Sequence, residues 1–285
     1  TDFRSTIDRV TLFHETFYYN FSAQKRRVPT IITIHDMIHE KYPNYFSRKD
    51  NTSYFKEKAI NRADIIICVS NSTKNDLINI YPHCEKKIVV IHHGIDTTSR
   101  ILSRKSANLI QRPFILYVGK RNGYKNFKTL LDAYFNSFRI NLNFDLVFFG
   151  GGNFSSEEIK LINQKGDINK IHLLNGSDSV LSLLYKNASA FVYPSFDEGF
   201  GIPLLEAMLN QCPIIASDIP VFREVCGDSA HYFNPNSSDE LIDSFEKVIF
   251  SKNSRDLLID KGLRRVKSFS REKNINETIN LYKSI

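Results

Sequence analysis

Short runs of β-branched and aromatic residues alternate with amphipathic stretches along nearly the whole chain, the pattern of parallel strands joined by helices. The first series reads VTLFHE, PTIITIHD, a helix over Thr52 to Ala63, DIIICVS, a helix from Asn71 to about Ile80, and KIVVIHHG. A second series runs PFILYVG, FDLVFFG, KIHLL, AFVYP, PIIAS and AHYF, each followed by a candidate helix. Runs as uniformly apolar as IIIC and FILYV belong to strands covered on both faces, so each half is expected to be a doubly wound, Rossmann-like α/β layer structure. Between the halves lies a polar, basic stretch without a period, residues 95 to 112, which reads as a linker. The expected division is residues 1–108, residues 109–270, and a last segment 271–285 read as a helix returning toward the first half. Four strands are few for the first half, and the chain opens on Thr1. An upstream portion is therefore expected to be missing.

The composition narrows the class. With 285 residues, 42% hydrophobic and 24% charged, the chain has the balance of a globular protein. No run approaches the 18 or so apolar residues that cross a bilayer. Four widely spaced cysteines without a C-x-x-C pair argue against a zinc or redox motif. A formal charge of +7 favours anionic partners, yet the basic residues are scattered, as in KRR at 25 to 27, without the aromatic interleaving of a nucleic-acid platform. No nucleic-acid partner is expected.

Ligands of doubly wound sheets bind beyond the carboxyl ends of the strands. The segment SFDEGFGIPLLEAM, residues 195 to 208, follows one such end and carries two glutamates eight positions apart. On one unbroken helix they would lie about 80° apart around the axis. Pro203 suits a first helical position, which leaves Glu198, Gly199, Phe200 and Gly201 in the loop and puts Glu206 in the first turn. A carboxylate accepts from two neighbouring hydroxyls at once, so two of them suit a ligand with two polyols. By spacing alone, a dipole-complementing Glu206 and a solvated Glu198 fit equally well. Lys120, Arg121 and Lys125 follow another strand end and could stabilise a departing diphosphate. Lys120 and Arg121 can both fill the first basic position; Arg121 is favoured for its forked donors. Ser70 reads as a helix cap, and the Gly150–Gly152 run as a tight turn before a helix capped by Ser155 or Ser156. No G-x-x-x-x-G-K-[ST] run is present, and no two aspartates stand two positions apart; a metal is not expected.

The pattern E-G-F-G-x-P-x-x-E resembles the signature of glycosyltransferase family 4, retaining enzymes of the GT-B fold. YVGKRNGYKNFKTLLDAY, VSNSTKNDL, VVIHHGID and PIIASDIPVFREVCGDSAHYFNP resemble further elements of that family, so the resemblance covers nearly the whole chain. It implies two Rossmann-like domains facing across a cleft, the first incomplete. It also implies a nucleoside-diphosphate sugar as donor substrate rather than a cofactor. Glu198 would then lie near the transferred sugar, with backbone N–H groups of Gly199, Phe200 and Gly201, and Glu206 on the ribose. His35, in the His35-Asp36 pair after PTIITI, would face the sugar as a catalytic residue; His14 and Asp36 would line the acceptor side. His92 and His93 read as packing and loop residues. GYKNF and the HDM triplet resemble bacterial transferases that build surface polysaccharides, making GDP-mannose the first donor to test. A glycan or lipid-linked saccharide is the expected acceptor, and the inner face of the cytoplasmic membrane the expected location, where a basic surface meets anionic lipid. A sugar-nucleotide epimerase of the same fold and a non-catalytic assembly partner are the competing readings; a phosphorylase-like enzyme would need a cofactor-bearing lysine, and none is marked.

Overall fold

The structure, a computed structural model, describes residues 11–18, 28–97, 110–121 and 123–285. The basic run at 25 to 27 and most of the linker lie outside these residues. Two compact units result. The first takes the chain to Gly94 together with Glu198–Phe200 and Arg271–Ile285; the second takes Ile95–Asp197 and Gly201–Ser270. The division thus falls at Gly94, ahead of residue 108.

Among the described residues of the first unit, four parallel strands, β1 (Phe13–Glu15), β2 (Thr30–Ile34), β3 (Ile65–Cys68) and β4 (Ile88–Val90), stand in that order. Successive strand residues point to opposite faces. Ile32 and Ile34 of β2 and Ile66 and Cys68 of β3 accordingly join Ala59, Ile60 and Leu77 in one core, while Ile31 and Ile67 join Ile91 on the other side. Leu281, from the helix Arg271–Lys283, packs on that second cluster. Coverage of both faces is why these strands read as unbroken apolar runs. Each fully buried isoleucine contributes about 1.5–3 kcal/mol relative to exposure. All four cysteines are buried and unbridged.

The second unit holds six parallel strands: β5 (Phe114–Val118), β6 (Asp145–Phe149), β7 (Ile171–Leu174), β8 (Ala190–Tyr193), β9 (Ile214–Ser217) and β10 (Ala230–Phe233). Their order is β10-β9-β8-β5-β6-β7. The chain therefore builds outward from β5 through β6 and β7, returns to the opposite side of β5, and builds outward again through β8, β9 and β10. Side-by-side strands β5 and β8 bracket this reversal, with Ile115 opposite Ala190 and Leu116 opposite Phe191. The loops that leave these two strands carry the basic cluster and the two glutamates.

Candidate active site

Gly201 has φ +101°, in the left-handed region, and a Cβ there would meet Leu204 at 2.9 Å. A residue without a side chain is needed at this corner. The helix begins directly after it and runs Ile202–Leu209, so Pro203 is its second residue and not its first. Glu206 consequently lies in the second turn, where the helix dipole does little for it, and not in the first turn as expected from Pro203. What holds its carboxylate is a side chain: the hydroxyl of Tyr185, from the helix Asp178–Asn187, donates to Oε2 at 3.1 Å. Burial raises the Glu206 pKa, the nearby Asp178 charge adds to that, and the Tyr185 bond opposes them.

The loop after β5 turns at Gly119 (φ +112°), whose N–H donates to Phe149 O at 2.9 Å. Lys120 is exposed, and Lys125 is half-buried, with its ammonium 5.9 Å from the ring centre of Tyr193, the last residue of β8. Phe196 N donates to Tyr124 O at 2.8 Å, tying the two loops together. Asn126 extends that tie. It sits buried in the left-handed region at φ 57°, which asparagine tolerates. Its Nδ2 donates to Pro194 O at 2.9 Å and Pro235 O at 2.7 Å, and its Oδ1 accepts from Thr129 Oγ1 at 2.8 Å. One amide thus joins the loops after β5, β8 and β10. Sequence reasoning passed over it; the available signal was an asparagine directly ahead of a helix, next to a candidate phosphate lysine.

Arg121 points inward. Its guanidinium, 2% exposed, donates Nε to Glu158 Oε1 at 2.9 Å, Nη1 to Gly150 O at 3.0 Å, and Nη2 to Gly152 O and Asn153 O at 3.0 Å each. Gly150, Gly151 and Gly152 all have φ between 75° and 78°, and a Cβ on Gly151 would come within 2.4 Å of Gly119 O. Glu158 also completes a capping box with Ser155 at the start of the helix Ser156–Lys165. The glycine run is a tight turn ahead of a Ser155-capped helix, and Arg121 is its brace. This geometry moves the preference for the first basic position from Arg121 to Lys120.

In the first unit, His35 follows β2. Its Nε2 lies 2.8 Å from Thr16 O. A carbonyl only accepts, so Nε2 donates this bond and Nδ1 is the ring's other nitrogen. The ring of His93 stacks on it at 5.8 Å with an interplanar angle of 11°. Burial, then the His35 and His92 charges, push the His93 pKa down to about 4, which keeps that ring neutral. Asp36 Oδ1 accepts from Ile38 N at 3.0 Å, and the wholly buried Lys56 donates to Asp36 O and to Glu40 Oε2 at 2.8 Å each. His14 lies on β1 with both ring nitrogens engaged, Nδ1 by Tyr282 Oη at 2.5 Å and Nε2 by Thr33 Oγ1 at 2.8 Å. Burial, with the His35 charge second, lowers its pKa.

Glu198, Gly199 and Phe200 pack with the same group. The Phe200 ring lies 5.3 Å edge-on from His93. Gly199 runs so close to His35 that a Cβ would sit 1.7 Å from the His35 carbonyl oxygen. The structure thus brings His35, Asp36, His93 and residues 198–200 together in one unit, and Lys120, Lys125, Gly201 and Glu206 at the strand-order reversal of the other.

Residues 99–265 match the family model of "Glycosyl transferases group 1", and residues 3–99 match that of "Glycosyltransferase Family 4". The O-antigen chain mannosyltransferase B of Escherichia coli is 27% identical over 279 residues, 93% of this chain and 72% of the relative. The O-antigen chain mannosyltransferase RfbU of Salmonella typhimurium is 30% identical over 209 residues, 72% of this chain and 56% of the relative, so the match spans little more than half of that protein. Among solved structures, the sucrose-phosphate synthase of Thermosynechococcus elongatus superposes with a TM-score of 0.80 at 19% identity, covering 99% of this chain and 76% of that one. Anabaena Alr3699/HepE, solved in complex with UDP-glucose, gives 0.76 at 18% identity, covering 91% and 73%. At these identities the structural likeness establishes the GT-B fold and nothing finer.

Proposed function

The chain belongs to the group 1 glycosyl transferases, and from that premise we propose that it moves mannose from GDP-mannose to a hydroxyl of a surface-polysaccharide acceptor, with retention of configuration. The observation that carries the reading is topological. The loop bearing Lys120 and Lys125 and the segment bearing Glu198 and Glu206 leave neighbouring parallel strands at the point of strand-order reversal, where sheets of this class bind nucleotides. The names of the O-antigen chain mannosyltransferases support mannose as the sugar and a glycan chain as the acceptor.

In this reading Glu206, held by Tyr185, takes the ribose diol, and Lys120 and Lys125 meet the diphosphate. Charge builds on that diphosphate as the bond from C1 of the sugar to its oxygen breaks, and preplaced ammonium groups stabilise it without reorganisation. The acceptor oxygen forms the new bond to C1 on the face the diphosphate leaves, and its proton passes to the departing phosphate oxygen. Glu198 accepts from sugar hydroxyls beside the backbone of Gly199, Phe200 and Gly201. His35, its Nε2 bonded to Thr16 O, turns Nδ1 toward another sugar hydroxyl to orient it. Arg121 acts through the glycine turn as a positioning residue. Asp36 and His14 are committed to internal bonds, which suits support of the acceptor side better than direct chemistry.

A panel of nucleotide sugars, scored for free nucleoside diphosphate with and without polysaccharide acceptor, tests the proposal. Acceptor-dependent GDP release from GDP-mannose is the expected result. Conversion of the nucleotide sugar to an epimer without acceptor would refute it.

A further inference from the structure

Ser70 explains itself only in part as a helix cap. Its Oγ accepts from Thr73 N at 3.0 Å, the ordinary capping bond of the helix Asn71–Ile80. A capping oxygen keeps its own proton to give away, and the Ser70 hydroxyl stands 2.7 Å from Gly199 O, closer than the 3.1 Å to Thr73 Oγ1. Thr73 Oγ1 stands 3.0 Å from the same carbonyl. Both hydroxyl protons therefore go to one acceptor, filling its two lone-pair directions. Ser70 is wholly buried and Thr73 is 2% exposed. Capping requires neither of these donations.

From this geometry we infer that Ser70 and Thr73 are positioning residues for the segment Glu198-Gly199-Phe200. The inference rests on the proposed role of that segment against the transferred sugar. A trans peptide is planar, with its C=O and N–H antiparallel. Two hydroxyls on the Gly199 carbonyl fix the plane of the peptide it shares with Phe200, and so turn the Phe200 N–H to the side away from the helix Asn71–Ile80. They also polarise that peptide. The His35 carbonyl, against which only a glycine can run, sets the segment's approach from a second direction. A serine, a threonine and a strand-end backbone oxygen then locate the segment's backbone.

The test is calorimetry with GDP and with GDP-mannose on the wild-type chain and on Thr73→Val, Thr73→Ser and Ser70→Ala. Valine matches threonine in shape, and Ser70 still satisfies the Gly199 carbonyl, so Thr73→Val should fold with a melting temperature lower by only a few degrees. Losing one such bond weakens GDP-mannose about fivefold while GDP, which has no mannose to present, binds as before. Thr73→Ser restores the wild-type value. Ser70→Ala weakens GDP-mannose similarly and lowers the melting temperature further, because the cap goes with it. Thr73→Val binding GDP-mannose like the wild type, or losing GDP in equal proportion, overturns the inference. A wild-type chain that binds neither probe refutes the proposed function itself, a result distinct from either of those.

Discussion

Replacing Tyr185 by phenylalanine removes one hydroxyl and leaves the buried ring in place. In the native protein that hydroxyl donates to Glu206 Oε2 at 3.1 Å and favours the ionised carboxylate, against a burial that disfavours it. A hydrogen bond to a charged acceptor is worth about 1.5–3 kcal/mol, and one pH unit of proton affinity corresponds to about 1.36 kcal/mol. Tyr185→Phe should therefore move the midpoint for Glu206 ionisation to higher pH, because burial is then less opposed. The sign for binding follows from the chemistry of the diol. An ionised Glu206 accepts from both ribose hydroxyls, whereas a protonated one loses acceptor capacity, so GDP affinity falls as pH drops through the midpoint. The stability term runs the other way. A carboxyl whose pKa is raised by folding contributes stability that is fully present below the unfolded pKa and is lost as pH rises through the folded one. Calorimetric titration with GDP over a pH series reads the midpoint directly. Tyr185→Phe should reach wild-type affinity only at the alkaline end. A variant profile superimposable on that of the wild type would show that Glu206 does not receive the ribose, or that the hydroxyl does not govern its charge.

Three further outcomes follow from the same geometry. Gly199→Ala places a Cβ 1.7 Å from His35 O, where contacts under 3.0 Å are essentially never found, so the segment must shift by more than an ångström; a displacement of that size costs about 100-fold in turnover, read as kcat/KM for GDP release. Lys120→Ala and Arg121→Met should separate cleanly: the exposed lysine lowers turnover with the melting temperature unchanged, whereas removing the buried guanidinium strands Glu158 and the glycine-turn carbonyls, costs about 3–5 kcal/mol, and lowers the melting temperature by roughly 10 °C. With lysines stabilising the diphosphate, a chelator should leave steady-state turnover unchanged; a loss restored by a divalent cation would count against that assignment.

Periodicity and punctuation determined much of this protein. Apolar runs such as TIITI and FILYV read as doubly covered parallel strands, and among the described residues the six runs of the second half form the six strands of its sheet. The E-G-F-G-x-P-x-x-E segment was legible for a related reason: its glycines mark where the backbone takes a left-handed turn and where it runs against another backbone, constraints that local residue type records. Tertiary structure decided everything that depends on which distant group fills a donor or acceptor. Arg121 and Lys120 are adjacent cations in sequence, yet one is buried against Glu158 and three carbonyls while the other is exposed. Glu206 follows a proline that suggested a first-turn position, but the left-handed Gly201 started the helix one residue sooner and left Tyr185 to hold the carboxylate. Asn126 and the Ser70–Thr73 pair reach partners scores of residues away, at Pro194, Pro235 and Gly199. A hydrogen bond is directional and short, so its partner is fixed by the fold's geometry and leaves no period in the chain for a reader to find.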